Sequence, residues 1–130
     1  MRKKTKKFFK AFIYAFRGIV SGFKERNMKF HGVMTILVLE AGLFFSISKY
    51  DWFIVLILIA IVWAAELVNT AVEELANTLR DELNLSYSST TRARDAAAGA
   101  VLVVAIAAAM IGLAIFLPKI LALFNCSANY

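Results

Sequence analysis

The chain has 130 residues, 61% of them hydrophobic, with a mean hydropathy of +0.70 and a formal net charge of +6. That is too apolar for a soluble domain of this size and too short for more than one domain, so the composition describes a small integral membrane protein. The single histidine and single cysteine exclude a disulfide framework and a thiolate metal cage, and the lack of a Gly-rich phosphate loop or a soluble-kinase signature excludes the soluble nucleotide-binding folds.

The N-terminal stretch is basic and aromatic. Phe9, Phe12, Phe16, Ile19, Val20 and Phe23 gather on one face at helical spacing, while Lys7, Lys10, Tyr14, Arg17 and Ser21 gather on another. This predicts an amphipathic helix over about residues 5–29 that lies in the membrane interface. Lys10 and Arg17 interrupt the apolar residues, so there is no continuous signal-peptide core. Glu25 joins the polar face if the helix continues through Gly18 and Gly22. A basic anchor with no chemistry fits the same composition.

Three apolar segments follow. The first, residues 32–48, is interrupted by Glu40, for which the sequence offers no role. Lys49-Tyr50-Asp51 is expected to form a tight turn, and the second span starts at Trp52 and continues to about residue 79. A cytoplasmic loop is expected over 80–95, and the third span over 96–118, where Ala96 to Leu117 carries no charge and meets the roughly 20-residue requirement of a bilayer core. Small residues along the third span permit close helix contact within a bundle or oligomer. Ten of the fifteen Lys and Arg residues lie in positions 1–29, and Arg80, Arg92 and Arg94 lie near or in the second connection. The positive-inside rule therefore places the N-terminus and the 80–95 loop in the cytoplasm, and the C-terminus outside. That charge suits anionic headgroups or a nucleotide, and no element that reads nucleic acid is apparent.

The second span holds the chemistry. Glu66, Asn69 and Glu73 fall within roughly 60° of one another at helical pitch, which makes a polar stripe on an apolar helix. Ionisable groups inside a span are costly, so a functional site is the default reading. Counting from Trp52 at about 1.5 Å per residue, Glu66 lies about 21 Å deep and Glu73 about 31 Å deep. Glu66 is then submerged, and Glu73 reaches the inner aqueous edge, where a carboxylate suits a hard cation such as Mg²⁺ better than zinc. The structural alternative is that Glu66 and Asn69 bond to neighbouring helices and fix their pairing.

The segment Glu66-Leu-Val-Asn69-Thr-Ala-Val-Glu73, followed after a polar loop by Arg92-Ala-Arg94-Asp95-Ala-Ala-Ala-Gly99, resembles the signature of the small bacterial membrane kinases that comprise diacylglycerol kinase and undecaprenol kinase. The resemblance runs from about Phe8 to Lys119. The stretches Phe23 to His31 and Ile111 to Lys119 are more similar to the Gram-positive undecaprenol kinase branch. It implies an all-α homotrimer of protomers with one surface helix and three transmembrane helices in the bacterial plasma membrane, and active sites built between subunits. It also implies ATP-dependent phosphorylation of a lipid's terminal hydroxyl, undecaprenol or diacylglycerol.

Carried over residue by residue, Glu66 matches the general base and Asn69 its neighbour. Glu25 and Glu73 match the carboxylates that hold Mg²⁺ at the nucleotide phosphates. Arg94 and Asp95 match a Lys-Asp pair at the nucleotide, with Arg92 beside them; Lys7, Lys10, Tyr14 and Arg17 match surface-helix positions near it. Asn77 stands where the family usually has Asp, Arg94 where it has Lys, and the Ser/Thr-rich loop between them is longer than expected. A reading from another class, a holin-like pore former or accessory subunit, fits three short spans and a basic tail, but does not require Glu25, Glu66, Glu73 and Asp95 together.

Overall fold

The structure, a computed structural model, describes residues 2–127. Four helices are present: α1 (Arg2–Gly22), α2 (Arg26–Phe44), α3 (Lys49–Leu83) and α4 (Thr91–Ser127), with a short 3-10 turn at Tyr87–Ser89 before α4. The side chain of Cys126, which the sequence leaves unpaired, lies outside the described side chains.

The amphipathic helix does not run unbroken over 5–29. It ends at Gly22, and Phe23 to Glu25 form a turn in which the Glu25 amide bonds to the Gly22 carbonyl at 3.0 Å. At the break α1 packs closely on α3: a Cβ on Gly22 would overlap the end of the Leu67 side chain, which would have to move. Turning there sets the Phe23 ring edge-on against Trp63, with centroids 5.0 Å apart, and buries Met28 completely. Glu25 consequently sits at the extended N-cap position of α2 rather than on the polar face of α1.

The turn between α2 and α3 also differs from the expectation. Lys49 to Asp51 are already helical, and the reversal occupies Phe45 to Ser48. Ser46 takes a left-handed conformation (φ 48°), the Ile47 amide bonds to the Gly42 carbonyl at 3.1 Å, and the Ser46 amide bonds to the Leu43 carbonyl at 3.2 Å. This is a Schellman ending, with Ile47 buried against Gly42. Ser48 then starts α3 through a capping box. Its hydroxyl accepts the Asp51 amide at 3.2 Å, and the Asp51 carboxylate accepts the Ser48 amide at 3.1 Å.

The expected 80–95 loop is shorter than the sequence predicts. Helix α3 runs to Leu83 and stops at Asn84, which is left-handed (φ 52°) and closes the helix. At the other side the hydroxyls of Thr90 and Thr91 both bond to the Tyr87 carbonyl, so α4 is under way by Thr91.

Helix α3 is the hub of the chain and packs against each of the other three helices. At 35 residues it is about 52 Å long at 1.5 Å per residue, so its last turns extend past a roughly 30 Å hydrocarbon core. Among the described residues α3 and α4 are the two helices long and apolar enough to cross a membrane. Helix α2 carries Arg26, Lys29 and Glu40 within its 19 residues. The buried apolar set is Met28, Ile47, Val55 and Ala76, whereas large apolar side chains cover the outside of every helix. A chain of this kind finds its apolar surroundings in lipid or in other copies.

Close approach at Gly42 makes a stability prediction. A Cβ there would lie 2.7 Å from Trp52 Cη2, so Gly42→Val overpacks the α2–α3 turn. The variant should lose about 1–3 kcal/mol in thermal unfolding in detergent. Gly18→Ala, where nothing stands within 4 Å of the added carbon, should match the parent chain.

Candidate active site

Glu66 and Asn69 are the deepest polar side chains on α3, with 2% and 3% of their surfaces exposed. Helical pitch puts them on one face with Glu73, and the structure links two of them: the Asn69 amide nitrogen donates to Glu73 Oε1 at 3.1 Å. That bond fixes which way the amide points, because a carboxylate needs a donor. Asn69 Oδ1 is left buried without a hydrogen-bond partner. An orphaned buried acceptor costs roughly 1–3 kcal/mol, so it marks a place where a donor belongs.

Glu66 faces α2. His31 Nε2 lies 3.9 Å from Glu66 Oε2, with both side chains largely buried. The His31 backbone is itself held: Trp63 Nε1 donates to Thr35 Oγ1 at 3.0 Å, and the Thr35 hydroxyl donates to the His31 carbonyl at 2.8 Å. The Phe30 ring meets the imidazole edge-on with centroids 5.6 Å apart. His31, Thr35 and Trp63 are not among the sequence candidates.

An apolar groove of about 510 Å³ runs between α2, α3 and α4. Val55, Leu58, Ile59 and Val62 line it from α3, Met34 and Val38 from α2, and Ala105, Ala108 and Gly112 from α4; His31 also lines it. Val55, Ile59, Val62 and Glu66 follow one another at steps of three and four residues. Glu66 is the next step in that series, toward the C-terminal end of the helix.

One turn beyond Glu73 a second cluster ties the two membrane helices together. Arg94 on α4 donates from one guanidinium nitrogen to Asn77 Oδ1 at 3.0 Å and from Nε to Thr90 Oγ1 at 3.2 Å, and its guanidinium carbon stands 4.9 Å over the Tyr87 ring. The two departures from the resembled family thus touch each other. A planar guanidinium can stack on Tyr87 and still bond sideways to an amide and a hydroxyl, which a compact ammonium cannot do.

The remaining sequence candidates lie apart. Lys7, Lys10, Tyr14, Arg17, Glu25, Arg92 and Asp95 are exposed, and among the described residues no side-chain hydrogen bond or ion pair joins them to Glu66, Asn69 or Glu73. No group of three or more His, Cys, Asp or Glu side chains capable of holding a metal occurs among the described residues. The donor chemistry still fits Mg²⁺ at Glu73. One carboxylate oxygen takes the Asn69 hydrogen bond and the other is open, and Mg²⁺ is commonly held by one or two carboxylates, with water and substrate phosphates completing its shell.

Helix α3 buries one carboxylate beyond an apolar groove and places a second carboxylate and the Arg94 cluster two to three turns further along, the class of arrangement that can bring a lipid's polar end to a soluble, anionic reactant. The comparisons with known proteins agree with that class. Residues 13–116 match the family described as prokaryotic diacylglycerol kinase. The undecaprenol kinase of Bacillus subtilis (strain 168) is 39% identical over 120 residues, covering 92% of this chain and 95% of the relative. A diacylglycerol kinase of Synechocystis is 31% identical over 115 residues, covering 87% of this chain and 64% of that protein. No solved structure matches. The chain belongs to the prokaryotic diacylglycerol kinase family and is a membrane lipid kinase. The pore-former reading falls with that result.

The Arg94 cluster yields a prediction independent of catalysis. Arg94→Ala removes the contacts to Asn77, Thr90 and Tyr87 together, so a broad-specificity protease should cut the 84–90 segment faster than in the parent. Arg94→Lys should be intermediate.

Proposed function

We propose that the chain transfers the γ-phosphoryl group of Mg-ATP to the terminal hydroxyl of undecaprenol, with diacylglycerol as the alternative acceptor. The observation that carries this reading is Glu66, 2% exposed and within 3.9 Å of His31, which lines an apolar groove of about 510 Å³ with room for part of an acyl or prenyl chain. The similarity to the Bacillus undecaprenol kinase, spread over nearly the whole of both chains, favours the prenol over the glycerolipid.

In this reading Glu66 takes the proton of the acceptor hydroxyl as its oxygen bonds to phosphorus and the bond to the departing diphosphate breaks. Asn69 holds Glu73 in place through its amide nitrogen, and its orphaned Oδ1 accepts from a water beside the site. Glu73 and Glu25 would hold Mg²⁺, and Arg94, with Arg92 and Asp95 nearby on α4, would lie toward the phosphates. Lys7, Lys10, Tyr14 and Arg17 on α1 offer positive charge and a ring to the nucleotide. Bound Mg-ATP supplies the phosphoryl group and the metal charge that neutralises it. The protein's share is to position the reactants, stabilise charge and accept one proton, which needs no covalent intermediate.

The same reading makes α2 the first of three spans, with α1 in the interface, the N-terminus and the α3–α4 connection cytoplasmic, and the C-terminus outside. It also makes the working unit a homotrimer with sites shared between neighbours. The exposed positions of Glu25, Arg92 and Asp95, and the apolar covering of α3 and α4, support it, because a neighbouring copy can bring to Glu73 what one protomer leaves apart.

The purified protein with Mg-ATP should phosphorylate undecaprenol faster than diacylglycerol, as followed by labelled lipid product. Glu66→Gln should leave oligomer size and unfolding temperature near those of the parent and abolish the product, and retained activity removes Glu66 from the mechanism. Glu73→Gln and Glu25→Gln should raise the Mg-ATP requirement more than the lipid requirement. The reverse pattern moves these carboxylates to the lipid side.

A further inference from the structure

Glu66 is nearly sealed from solvent, and its polar contact among the described residues is His31 Nε2 at 3.9 Å. A carboxylate that is to accept a proton must be held with one oxygen aimed at the hydroxyl, and one N–H donor on the other oxygen does that. The separation is longer than a hydrogen bond, and a χ rotation of either side chain closes it. The Phe30 ring flanks the imidazole on one side, and the Trp63–Thr35 pair anchors the His31 backbone carbonyl to α3 three residues before Glu66. This anchoring links the two helices through side chains beside the groove that His31 lines.

We propose that His31 is a positioning residue for Glu66: its Nε2–H engages Oε2 and leaves the other oxygen turned to the acceptor hydroxyl. The inference rests on Glu66 being the base. His31 keeps its own proton throughout, and the acceptor's proton passes to Glu66 alone. A donor at the Nε2 position is what the role requires, not an imidazole as such.

That requirement sets the experiment. Glutamine carries its amide nitrogen at about the place of Nε2, whereas asparagine reaches only to about that of Nδ1. Both are polar amides, so a folding defect common to the two is not confused with the donor's position. With the full-length protein in detergent, Mg-ATP and undecaprenol, His31→Gln should keep kcat within a few fold of the parent. His31→Asn should lose on the order of a hundredfold, the cost of misplacing a reacting group by about 1 Å. The KM for Mg-ATP and the unfolding temperature should be unchanged in both.

Equal kcat values for the two variants, or a rise in the Mg-ATP KM, overturn the proposal. If either amide fails to fold, His31→Tyr, whose hydroxyl extends past the Nε2 position, takes its place, and loss of activity in both remaining folded variants likewise overturns it. Glu66→Gln measured alongside separates the two levels. An active Glu66→Gln enzyme removes the base on which the inference rests, whereas an inactive one beside a fully active His31→Asn removes only His31.

Discussion

The burial of one carboxylate in an apolar helix constrains most of what surrounds it. A charge at that depth is tolerated only where it faces protein or a polar cavity, so α3 cannot turn Glu66 to the lipid and must present that face to a neighbouring element. Helix α2 meets it. For the meeting to occur, α2 must lie close enough that His31 reaches across, and the glycine packed against Trp52 makes such proximity possible near the α2–α3 turn. Beyond the other end of α2, Gly22 does the same for α1 against Leu67. Removing side chains at two points brings a third pair of side chains together.

The second cluster obeys a different logic. Arg94, Asn77 and Tyr87 are more exposed than Glu66, and in such surroundings a pair of charges contributes little and geometry matters more. Arg94 keeps a positive charge at the membrane edge while spending its planar donors on an amide, a hydroxyl and a ring. With Asp at position 77 the same arginine would be partly neutralised. With Asn it keeps its full charge and still has a fixed orientation. Asn77 and Arg94 thus act as one contact across α3 and α4.

Much of this is legible in the amino-acid order, and the parts that are not share a cause. The polar stripe follows from helical pitch alone, and the depth of Glu66 from the rise per residue, so its burial is implied by sequence position. The outer turn is misplaced by such reasoning because charged and aromatic residues at 49–51 look like loop, whereas Ser48 and Asp51 three residues apart are the better signal, a capping box that starts α3. His31 stays hidden for another reason: it stands at the start of α2, away from the polar stripe, and meets Glu66 only once α2 and α3 pack antiparallel, as Thr35 meets Trp63. The break at Gly22 is harder to read, since a glycine in a helix registers as a weak propensity penalty, and its use as a contact with Leu67 exists only in three dimensions.

The outer turn has no spare residue. The Schellman ending of α2 uses Phe45 to Ile47 and the capping box of α3 starts at Ser48, so one cap hands the chain directly to the next. An added or deleted amino acid there must be absorbed by a helix, and each such step rotates everything beyond it by about 100°. Glu66 would then swing off its meeting line with His31 and toward hydrocarbon. Relatives that preserve this chemistry should accordingly tolerate length variation between α3 and α4, where Leu85 and Ser86 lie outside any helix, and almost none between α2 and α3. The short turn between α2 and α3 thus sets the register of a contact several helical turns away from it.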